Sequence, residues 1–363
     1  MKKLYTMILA GGKGSRLKSL TKNECKPMVK IAGHFHLIDF ILTNCLKSGI
    51  RDNIGVIVQY NPNNLINYLF DWKSFNHVNL DILPPKSLSN YENVKFFDTA
   101  HAVYLNQDVI NESNCEDVLI LSADQVYAVD YYNLYKQHKE SKADLTVITT
   151  KVRLNDASRF GIFTVNENNQ IVSFEEKPES PKSELASTGI YIFNKNKLLS
   201  FIEEHIDKLD NNIDFGRDVI PFFIKKHNTQ IYNLDSRWRD IGTVEAFWEI
   251  NMEILDSNYE EFRKNYSEIK SFLTRKSHFL PSLHGPNASI KNSIVNNSNY
   301  IEGTIEHSII GNENYIGKGA KIINSVILDQ CIIKNNVTIK NAVISDKNVV
   351  EEDVIGVDRI LLK

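Results

Sequence analysis

A glycine-rich segment near the start of the chain could bind a polyphosphate. It follows a short apolar run over residues 4–9 and contains three glycines, Gly11, Gly12 and Gly14, together with the basic residues Arg16 and Lys26, which we single out from its cations. Glycine lets the backbone turn sharply and bring its N–H groups close to a ligand, and cations beside such donors favour phosphate. The Walker spacing does not occur, and Leu17 stands where a dinucleotide fingerprint needs its third glycine. The segment therefore predicts a nucleotide triphosphate site that is neither a Walker loop nor a dinucleotide-binding loop.

Two carboxylates, far apart in the sequence, could hold a divalent cation at that site. Asp124 ends an apolar run over residues 119–123, and Asp240 lies two residues before Gly242. A carboxylate at the end of a strand is often a turn or cap residue. A bound polyphosphate, however, needs Mg2+, which is held by one or two carboxylates and phosphate oxygens. We therefore predict that Asp124 and Asp240 bind Mg2+, and we interpret the nearby Asp130 as a helix N-cap.

A third group of residues could bind a phosphorylated sugar. Glu176 and Lys177 follow a predicted strand, where a carboxylate can accept sugar hydroxyls and a lysine can pair with a phosphate dianion. Ser187 is followed closely by Gly189, which combines a hydroxyl with room for a close backbone approach. Each of these features also fits a solvated turn, so the residues alone leave both interpretations open.

Alternating strands and helices must position these side chains. Strand character is found at residues 4–9, 53–58, 118–122, 144–149, 189–193 and 229–233. Helical periodicity is found at residues 37–48, 64–69, 99–109, 131–141, 196–207 and 219–226, and again in a linker at 243–266. This alternation predicts a Rossmann-like α/β domain with a mostly parallel sheet and helices on both faces. In such sheets, ligands bind at the carboxyl ends of the strands.

The chain changes character after Pro281, where Asn, Ile, Val, Gly and Ser dominate. Aliphatic residues recur there every six positions, with one slip of a residue: Ile310, Ile316, Ile322, Leu328, Ile333 and Ile339. This repeat predicts a left-handed parallel β-helix of about four or five rungs, with one buried aliphatic residue per face, and an antiparallel β-domain is the alternative. We predict a nucleotidyltransferase domain at 1–245, a helical linker at 246–280 and a β-helix domain at 281–363.

Composition and charge argue against several classes of protein. The 42 Lys and Arg nearly balance the 45 Asp and Glu, for a net charge of −3, so no basic field attracts nucleic acid. The four cysteines lie far apart without a C-x-x-C pair, which disfavours zinc or disulfides and fits a reducing compartment. No apolar run approaches the roughly 20 residues of a membrane span, and no cleavage pattern indicates a signal peptide. We expect a cytoplasmic protein with no membrane partner.

Taken in order, these motifs resemble the bacterial glucose-1-phosphate adenylyltransferases, or ADP-glucose pyrophosphorylases, in the sugar-nucleotidyltransferase family. The matching segments cover essentially the whole chain and are residues 9–17, 26–27, 37–40, 58–60, 99–104, 121–124, 157–161, 174–178, 187–191, 214–216 and 238–243. The resemblance implies that ATP and glucose 1-phosphate are the substrates, that ADP-glucose for glycogen synthesis is the product, and that the protein forms a homotetramer or a mixed tetramer.

The resemblance also implies residue roles that agree with those argued above. The glycines Gly11, Gly12 and Gly14 would hold the ATP phosphates, and Arg16, Lys26 and Asp124 would form the catalytic set. Gln59 would lie beside the adenine, and Tyr104 would belong to the substrate-binding set. Asp124 and Asp240 would hold Mg2+. Glucose 1-phosphate would be bound by Gly161, Glu176, Lys177, Ser187 and Asp214.

Five residues depart from the pattern of the family. Ala123, Gln125 and Ala128 stand where the family usually has glycine, histidine and lysine, Asp98 replaces a glycine, and His36 replaces an arginine. Because Asp124 is retained, we expect the chemistry to be retained. Two alternatives stay open: a catalytically weak regulatory subunit of a mixed enzyme, and a nucleotidyltransferase for another sugar 1-phosphate or another base.

Overall fold

The structure is a computed structural model, which describes residues 3–84, 98–167, 170–207, 213–256, 272–274 and 278–356. Up to residue 256 the strands are β1 (Leu4–Ala10), β2 (Lys30–Ile31), β3 (Phe35–His36), β4 (Ile54–Val58), β5 (Leu80–Leu83), β6 (Asp117–Ser122), β7 (Gln125–Tyr127), β8 (Leu145–Lys151), β9 (Gly161–Val165), β10 (Ile171–Glu176), β11 (Leu185–Asn194), β12 (Thr229–Asn233) and β13 (Trp238–Asp240). The helices are α1 (Leu37–Lys47), α2 (Pro62–Asn76), α3 (Thr99–Tyr104), α4 (Gln107–Glu112), α5 (Tyr131–Glu140), α6 (Leu154–Ala157), α7 (Lys195–His205), α8 (Ile220–Lys226) and α9 (Val244–Asp256). Two 3-10 turns, Ser15–Thr21 and Lys26–Met28, and one π turn, Phe215–Val219, complete this part.

A nine-stranded mixed sheet lies at the centre of this part. Strands β5, β4, β1 and β6 are neighbours in that order and run parallel, and we call them the parallel half. Strand β11 runs antiparallel to β6 and to β8, and the hairpin β9–β10 pairs with its first residues. We call β11, β8, β9 and β10 the antiparallel half, and β12 extends it by pairing with β8.

Side-chain alternation along the strands builds an apolar core on each face of the sheet. On β1, Ile8 belongs to one cluster with Trp72 and Tyr127, and the adjacent Met7 belongs to the other cluster with Phe193. Successive strand residues point to opposite faces, so a strand buried on both sides reads as a continuous apolar run. Helices therefore cover both faces, and the predicted fold class is confirmed.

Three predicted helices differ clearly in extent from those observed. The helix predicted at 64–69 is the longer α2, Pro62–Asn76. The helix predicted at 99–109 is broken into α3 and α4, and at the break Asn106 Nδ2 donates to the Ala102 carbonyl at 2.9 Å. This bond offers the backbone an alternative to a continuous helical ladder. The linker helix predicted at 243–266 is seen as α9, and its remainder lies outside the described residues.

The C-terminal part is a prism of short parallel strands. They are β14 (Leu283–His284), β15 (Ser289–Lys291), β16 (Ile294–Val295), β17 (Tyr300–Ile301), β18 (Thr304–Glu306), β19 (Ile309–Ile310), β20 (Tyr315–Ile316), β21 (Lys321–Ile323), β22 (Val326–Ile327), β23 (Ile332–Ile333), β24 (Thr338–Lys340), β25 (Val343–Ile344), β26 (Val349–Val350) and β27 (Val354–Ile355). Three sheets of five, five and four strands form its faces, which confirms the β-helix and its number of rungs.

The prediction for Leu328 is wrong in one respect. In the register Thr304, Lys321 and Thr338 stack on one another, so a central rung takes 17 residues rather than 18, and the pairs Ile290–Ile305 and Ile339–Val354 show rungs of 15 residues at the two ends. The slip therefore recurs in the central rungs, and Ile327 occupies the interior of the prism. Leu328 instead packs outside it, in a cluster that also contains Leu17.

One face of the prism packs against the first part of the chain. Its outward residues Ile309, Val326 and Val343 share a buried cluster with Phe247 of α9. Trp248 Nε1 donates to the Asn324 carbonyl at 3.0 Å in the same junction. The domain boundaries given above stay a prediction. None of the helices in the described ranges combines the length and apolar character of a membrane span.

Candidate active site

The glycine turn follows β1 at the edge where three parallel strands end. In the register Leu9 pairs with Ser122 and Ala10 pairs with Val58, so β1, β6 and β4 end side by side. Gly14 has φ +64°, a conformation that side chains rarely adopt, and an added Cβ would lie 3.0 Å from Thr21 Cγ2. Here the turn needs glycine because both the backbone angle and the space exclude a side chain.

Lys26 and Gln59 are the predicted residues closest to this turn. The Lys26 backbone N–H donates to the Gly12 carbonyl at 3.3 Å, which closes the turn. Gln59 directly follows β4, and a Cβ on Gly11 would lie 3.0 Å from Gln59 Cβ. No described atom outside its chain neighbours lies within 4 Å of the position a Cβ would take on Gly12. The backbone at Gly12 is therefore open to a ligand.

The two predicted metal-binding carboxylates meet around the buried ammonium of Lys26. Lys26 Nζ lies 2.7 Å from Asp124 Oδ2 and 3.5 Å from Asp240 Oδ1, and its side chain is 8% exposed. Strands β7 and β13 pair antiparallel, and their register places Asp240 opposite Gln125, the neighbour of Asp124. This pairing brings together two carboxylates that are 116 positions apart in the sequence. The sequence prediction that these carboxylates lie together agrees with this geometry.

Burial and the surrounding cations act on these carboxylates in opposite directions. Burial alone raises the pKa of Asp124, but Lys26 and the Ser122 hydroxyl, 2.6 Å away, outweigh it and hold that pKa below its ordinary value. Burial raises the pKa of Asp240, and Lys26 and Arg159 offset only part of this rise. The pKa of Lys26 is raised, because the two carboxylates outweigh its desolvation. Lys26 is therefore held protonated.

Two arginines complete the charged cluster. Arg159 Nη2 lies 3.2 Å from Asp240 Oδ2. A Cβ on Gly242 would lie 3.2 Å from Arg16 Nη2 and 3.1 Å from Arg159 Nη2, so both guanidinium groups face this backbone. No role was assigned to Arg159 from the sequence, although a cation within the segment 157–161 was the available signal.

The charged cluster forms one end of a cavity of about 230 Å3. Seven of the predicted site residues line it: Arg16, Asp124, Gly161, Glu176, Ser187, Asp214 and Asp240. Seven further lining residues have polar side chains and had no assigned role: Thr99, Ser122, Gln125, Arg159, Thr188, Tyr191 and Trp238. The cavity therefore joins residues from both halves of the sheet.

The other end of the cavity comes from the antiparallel half and the π turn. A Cβ on Gly161 would lie 2.7 Å from Glu176 Oε2, so glycine lets that carboxylate approach the backbone. Asp214 Oδ1 accepts from the Gly216 N–H at 2.8 Å, and its Oδ2 accepts from Thr99 Oγ1 at 2.9 Å. Ser187 is buried in β11, where the pairing with β8 shifts register. This end offers neutral donors and carboxylate acceptors, as a sugar requires.

Six of the ten predicted substrate-binding residues do not line this cavity. Four of them, Gly11, Gly12, Gly14 and Gln59, belong to the glycine turn and its surroundings. Lys177 is 66% exposed, and its Nζ lies 3.0 Å from Glu176 Oε1. Tyr104 ends α3, where its ring stacks on that of His101.

Three residues that the sequence analysis discussed have surroundings that explain them structurally. Asp98 forms an ion pair with Arg217 Nη2 at 2.8 Å, so its carboxylate is neutralised locally. Ala128 is buried among apolar side chains. Asp130 accepts from the Tyr132 N–H at 2.8 Å, which confirms its interpretation as the N-cap of α5.

Comparison with known proteins gives matches over both parts of the chain. The Nucleotidyl transferase family matches residues 5–257, and the "GlmU-like, C-terminal hexapeptide" family matches residues 276–361. The glucose-1-phosphate adenylyltransferase of Bacillus mycoides is 36% identical over 97% of this chain and 94% of its own length. The enzyme of the same name from Bacillus cytotoxicus is 37% identical over 95% of this chain and 92% of its own length. The enzyme of the same name from Bacillus anthracis is 35% identical over 97% of this chain and 94% of its own length.

Proposed function

The chain belongs to the Nucleotidyl transferase family, among the glucose-1-phosphate adenylyltransferases, and from this premise we infer that it transfers an adenylyl group from ATP to α-D-glucose 1-phosphate. The products are ADP-glucose, a precursor of glycogen-type polymers, and pyrophosphate. The observation that supports this inference most strongly is the meeting of Asp124 and Asp240 around Lys26 beside the glycine turn.

The reaction needs no protein nucleophile. A phosphate oxygen of glucose 1-phosphate, already anionic, attacks the α-phosphorus of ATP. The new P–O bond forms as the bond to the bridging α–β oxygen breaks, and pyrophosphate leaves with that electron pair. Positioning and charge neutralisation must therefore supply most of the rate enhancement.

The nucleotide side of the proposal uses the residues at the ends of the parallel strands. Backbone N–H groups of the turn that contains Gly11, Gly12 and Gly14 would receive the ATP phosphates. Arg16 and Lys26 would oppose the charge that develops on the leaving pyrophosphate. We propose that Gln59, beside Gly11, contacts the adenine.

The sugar side of the proposal uses the far end of the cavity. Glu176 and Asp214 would accept hydroxyl groups of glucose, and the backbone at Gly161 and the Ser187 hydroxyl would approach the same ligand. Lys177 would have to turn from Glu176 towards the sugar phosphate, and Tyr104 would act only from outside the wall described above. Both of these roles stay predictions.

The residues present fit a divalent cation bound together with substrate. The pair Asp124–Asp240 would share an ion with phosphate oxygens, since two carboxylates alone do not fill the coordination shell of such an ion. Hard oxygen donors of this kind and number are what Mg2+ takes from proteins that bind nucleotide phosphates. Bound Mg2+ would neutralise the phosphate oxygens. Lys26 would keep the two carboxylates together before the substrates arrive.

A pyrophosphate-release assay with a matched pair of variants tests the function. The purified chain should release pyrophosphate from ATP only when Mg2+ and glucose 1-phosphate are present. Asp124→Asn should lose on the order of a hundredfold or more in kcat, whereas Asp130→Asn should keep wild-type activity because Asp130 is an exposed cap. Absence of pyrophosphate release by a folded wild type would contradict the proposal.

The same assay separates the alternatives. A regulatory subunit would be inactive alone and would change the activity of a related active subunit, but the complete charged cluster argues against it. A panel of nucleotides and sugar 1-phosphates would reveal a transferase for another base or sugar. We also propose a cytoplasmic location, which suits the four free, buried cysteines, and a homotetramer or mixed tetramer. Cell fractionation and light scattering test these two points.

A further inference from the structure

Gln125, one of the departures from the family pattern, lies between the two ends of the cavity. It directly follows Asp124, it is 6% exposed, and it contributes to the cavity wall. Its backbone pairs with Asp240 in the β7–β13 register. Its backbone therefore adjoins both residues that carry the carboxylates of the charged cluster, while its side-chain amide bonds to Thr188 and Trp238.

Both ends of the Gln125 amide are used by opposite walls of the cavity. Gln125 Nε2 donates to the Thr188 carbonyl at 2.5 Å. Gln125 Oε1 accepts from Trp238 Nε1 at 3.0 Å. Because Thr188 belongs to β11 and Trp238 to β13, this one side chain connects the sugar side of the cavity to the strand that carries Asp240.

The segment of β11 that Gln125 holds is irregular and needs anchoring. The pairing of β11 with β8 shifts register between Ser187 and Tyr191, and Gly189 has φ +77°. Thr188 Oγ1 donates to the Ile148 carbonyl at 2.9 Å from the other side. The Gln125 amide and the Ile148 carbonyl thus hold this bulge from two directions, which places Ser187 at the cavity.

Trp238, the second partner of the Gln125 amide, also packs against residues of the cavity wall. Trp238 is buried and meets Phe160 edge to face, with ring centroids 5.3 Å apart. Phe160 lies between Arg159, which pairs with Asp240, and Gly161, which approaches Glu176. A shift of Trp238 would therefore move residues at both ends of the cavity.

We propose that Gln125 is a positioning residue that sets the distance between the bound sugar phosphate and the Asp124–Asp240 pair, a role that rests on the proposed function. The role requires one group that donates to Thr188 and accepts from Trp238 at the same time. A neutral imidazole also has one donor and one acceptor nitrogen. We therefore expect a histidine at position 125 to keep the bridge.

Variants of one shape and different hydrogen-bonding capacity test this role. Gln125→Glu presents two acceptors at neutral pH, so it should lower kcat/KM for glucose 1-phosphate by about 10- to 100-fold, because small misplacements at a reacting centre are costly. Gln125→His should stay within about threefold of wild type. The control Gln137→Glu makes the same change at an exposed position and should have no effect.

A spectroscopic readout keeps the proposal testable apart from turnover. The chain has three tryptophans, and the 15N-labelled indole signal of Trp238 can be assigned with Trp238→Phe. That signal should move in Gln125→Met, which neither donates nor accepts, and should stay near its wild-type position in Gln125→His.

Two results would overturn the role of Gln125: Gln125→Glu with wild-type kinetics, or Gln125→His as impaired as Gln125→Met. Failure of the proposed function itself is distinguishable, because then the wild type would release no pyrophosphate while the indole shifts of the variants would still report the bridge.

Discussion

The parallel and antiparallel halves of the sheet supply the cavity in different ways. In the parallel half, Gln59 directly follows β4 and Asp124 lies two residues after the end of β6, and the register places those strand ends side by side. In the antiparallel half, Gly161 begins a strand, Glu176 ends one, and Ser187 lies at a shift in register. Parallel strands bring loop residues to one edge by topology alone, whereas antiparallel strands need a local irregularity to present their residues to a ligand.

The two halves also differ in electrostatics. The parallel half and β13 together form a cluster of two carboxylates and three cations, in which Lys26 lies between both carboxylates. The antiparallel half contributes mostly backbone and hydroxyl groups. We therefore expect changes beside the parallel half to reduce kcat strongly, and changes in the antiparallel half to act mainly on KM for glucose 1-phosphate.

The largest effect should come from Lys26→Met. Because this change removes the ammonium between two carboxylates, we expect kcat/KM to fall on the order of a thousandfold in the pyrophosphate assay. The carboxylates would then repel each other, which raises their pKa values in the folded state. The folded protein would bind more protons than the unfolded chain, so the loss of stability should be greater at pH 8 than at pH 5. Urea unfolding at both pH values measures it, with the exposed Lys136→Met as control.

The second-largest effect should come from alanine substitutions in the glycine turn, where two glycines should respond differently in melting temperature and kinetics. Gly14→Ala meets both an unfavourable φ of +64° and contacts of 3.0 to 3.1 Å with Thr21 and Lys26, so it should lower both the melting temperature and kcat. Gly12→Ala has open space, so it should leave the melting temperature unchanged and raise KM for ATP by about tenfold, the cost of obstructing one close backbone contact. Equal melting temperatures for both variants would contradict this distinction.

In the antiparallel half, Gly161→Ala should give the opposite kinetic pattern to Gly12→Ala. An added Cβ would overlap the Phe174 ring at 2.6 Å and press on Glu176 at 2.7 Å. We expect KM for glucose 1-phosphate to rise about tenfold, equivalent to about 1.4 kcal/mol of binding, while KM for ATP stays nearly constant. An increase confined to KM for ATP would show that the two halves do not divide the substrates in this way.

The smallest effect on activity should come from Asp39→Asn, a change in α1 at a residue that does not line the cavity. Asp39 is fully buried, accepts from Tyr68 Oη at 2.5 Å, and has a pKa that burial raises to about 7. Since this pKa is above that of the unfolded chain, the folded state binds the extra proton, and stability should fall as the pH rises from about 4 to 7. Asp39→Asn should remove this part of the pH dependence of the unfolding free energy, and the exposed Asp130→Asn should not.

How far the site could be predicted differs between the halves for a physical reason. The turn with Gly14 and the carboxylate Asp124 were identifiable because chemistry and local conformation act within a few residues. Arg159 and Gln125 were missed as functional residues, because their roles depend on partners about 80 and 110 positions away in Asp240 and Trp238. The position of Lys177 at the rim, too, depends on how β10 ends and not on its neighbours in sequence.

The prism gives a similar lesson on packing. The repeat of aliphatic residues was sufficient to predict the β-helix, because each rung buries the same kind of side chain. The repeat was insufficient to place Leu328, because it does not show on which face of the prism the step between buried residues is one residue shorter. That choice depends on the 17-residue rung and on an outer face that buries Val326 and Val343 against α9.

By itself, the sequence determined the glycine turn, the strand–helix alternation, the aliphatic repeat and the kinds of groups available for chemistry. These follow from backbone freedom, from periodicity and from side-chain type, all of which are local. Only the tertiary structure decided that Lys26 lies between Asp124 and Asp240, and that the Gln125 amide joins two walls of the cavity. Such contacts depend on strand order and register, because hydrogen bonds and ion pairs act over a few ångströms while the chain separates their partners by about a hundred residues.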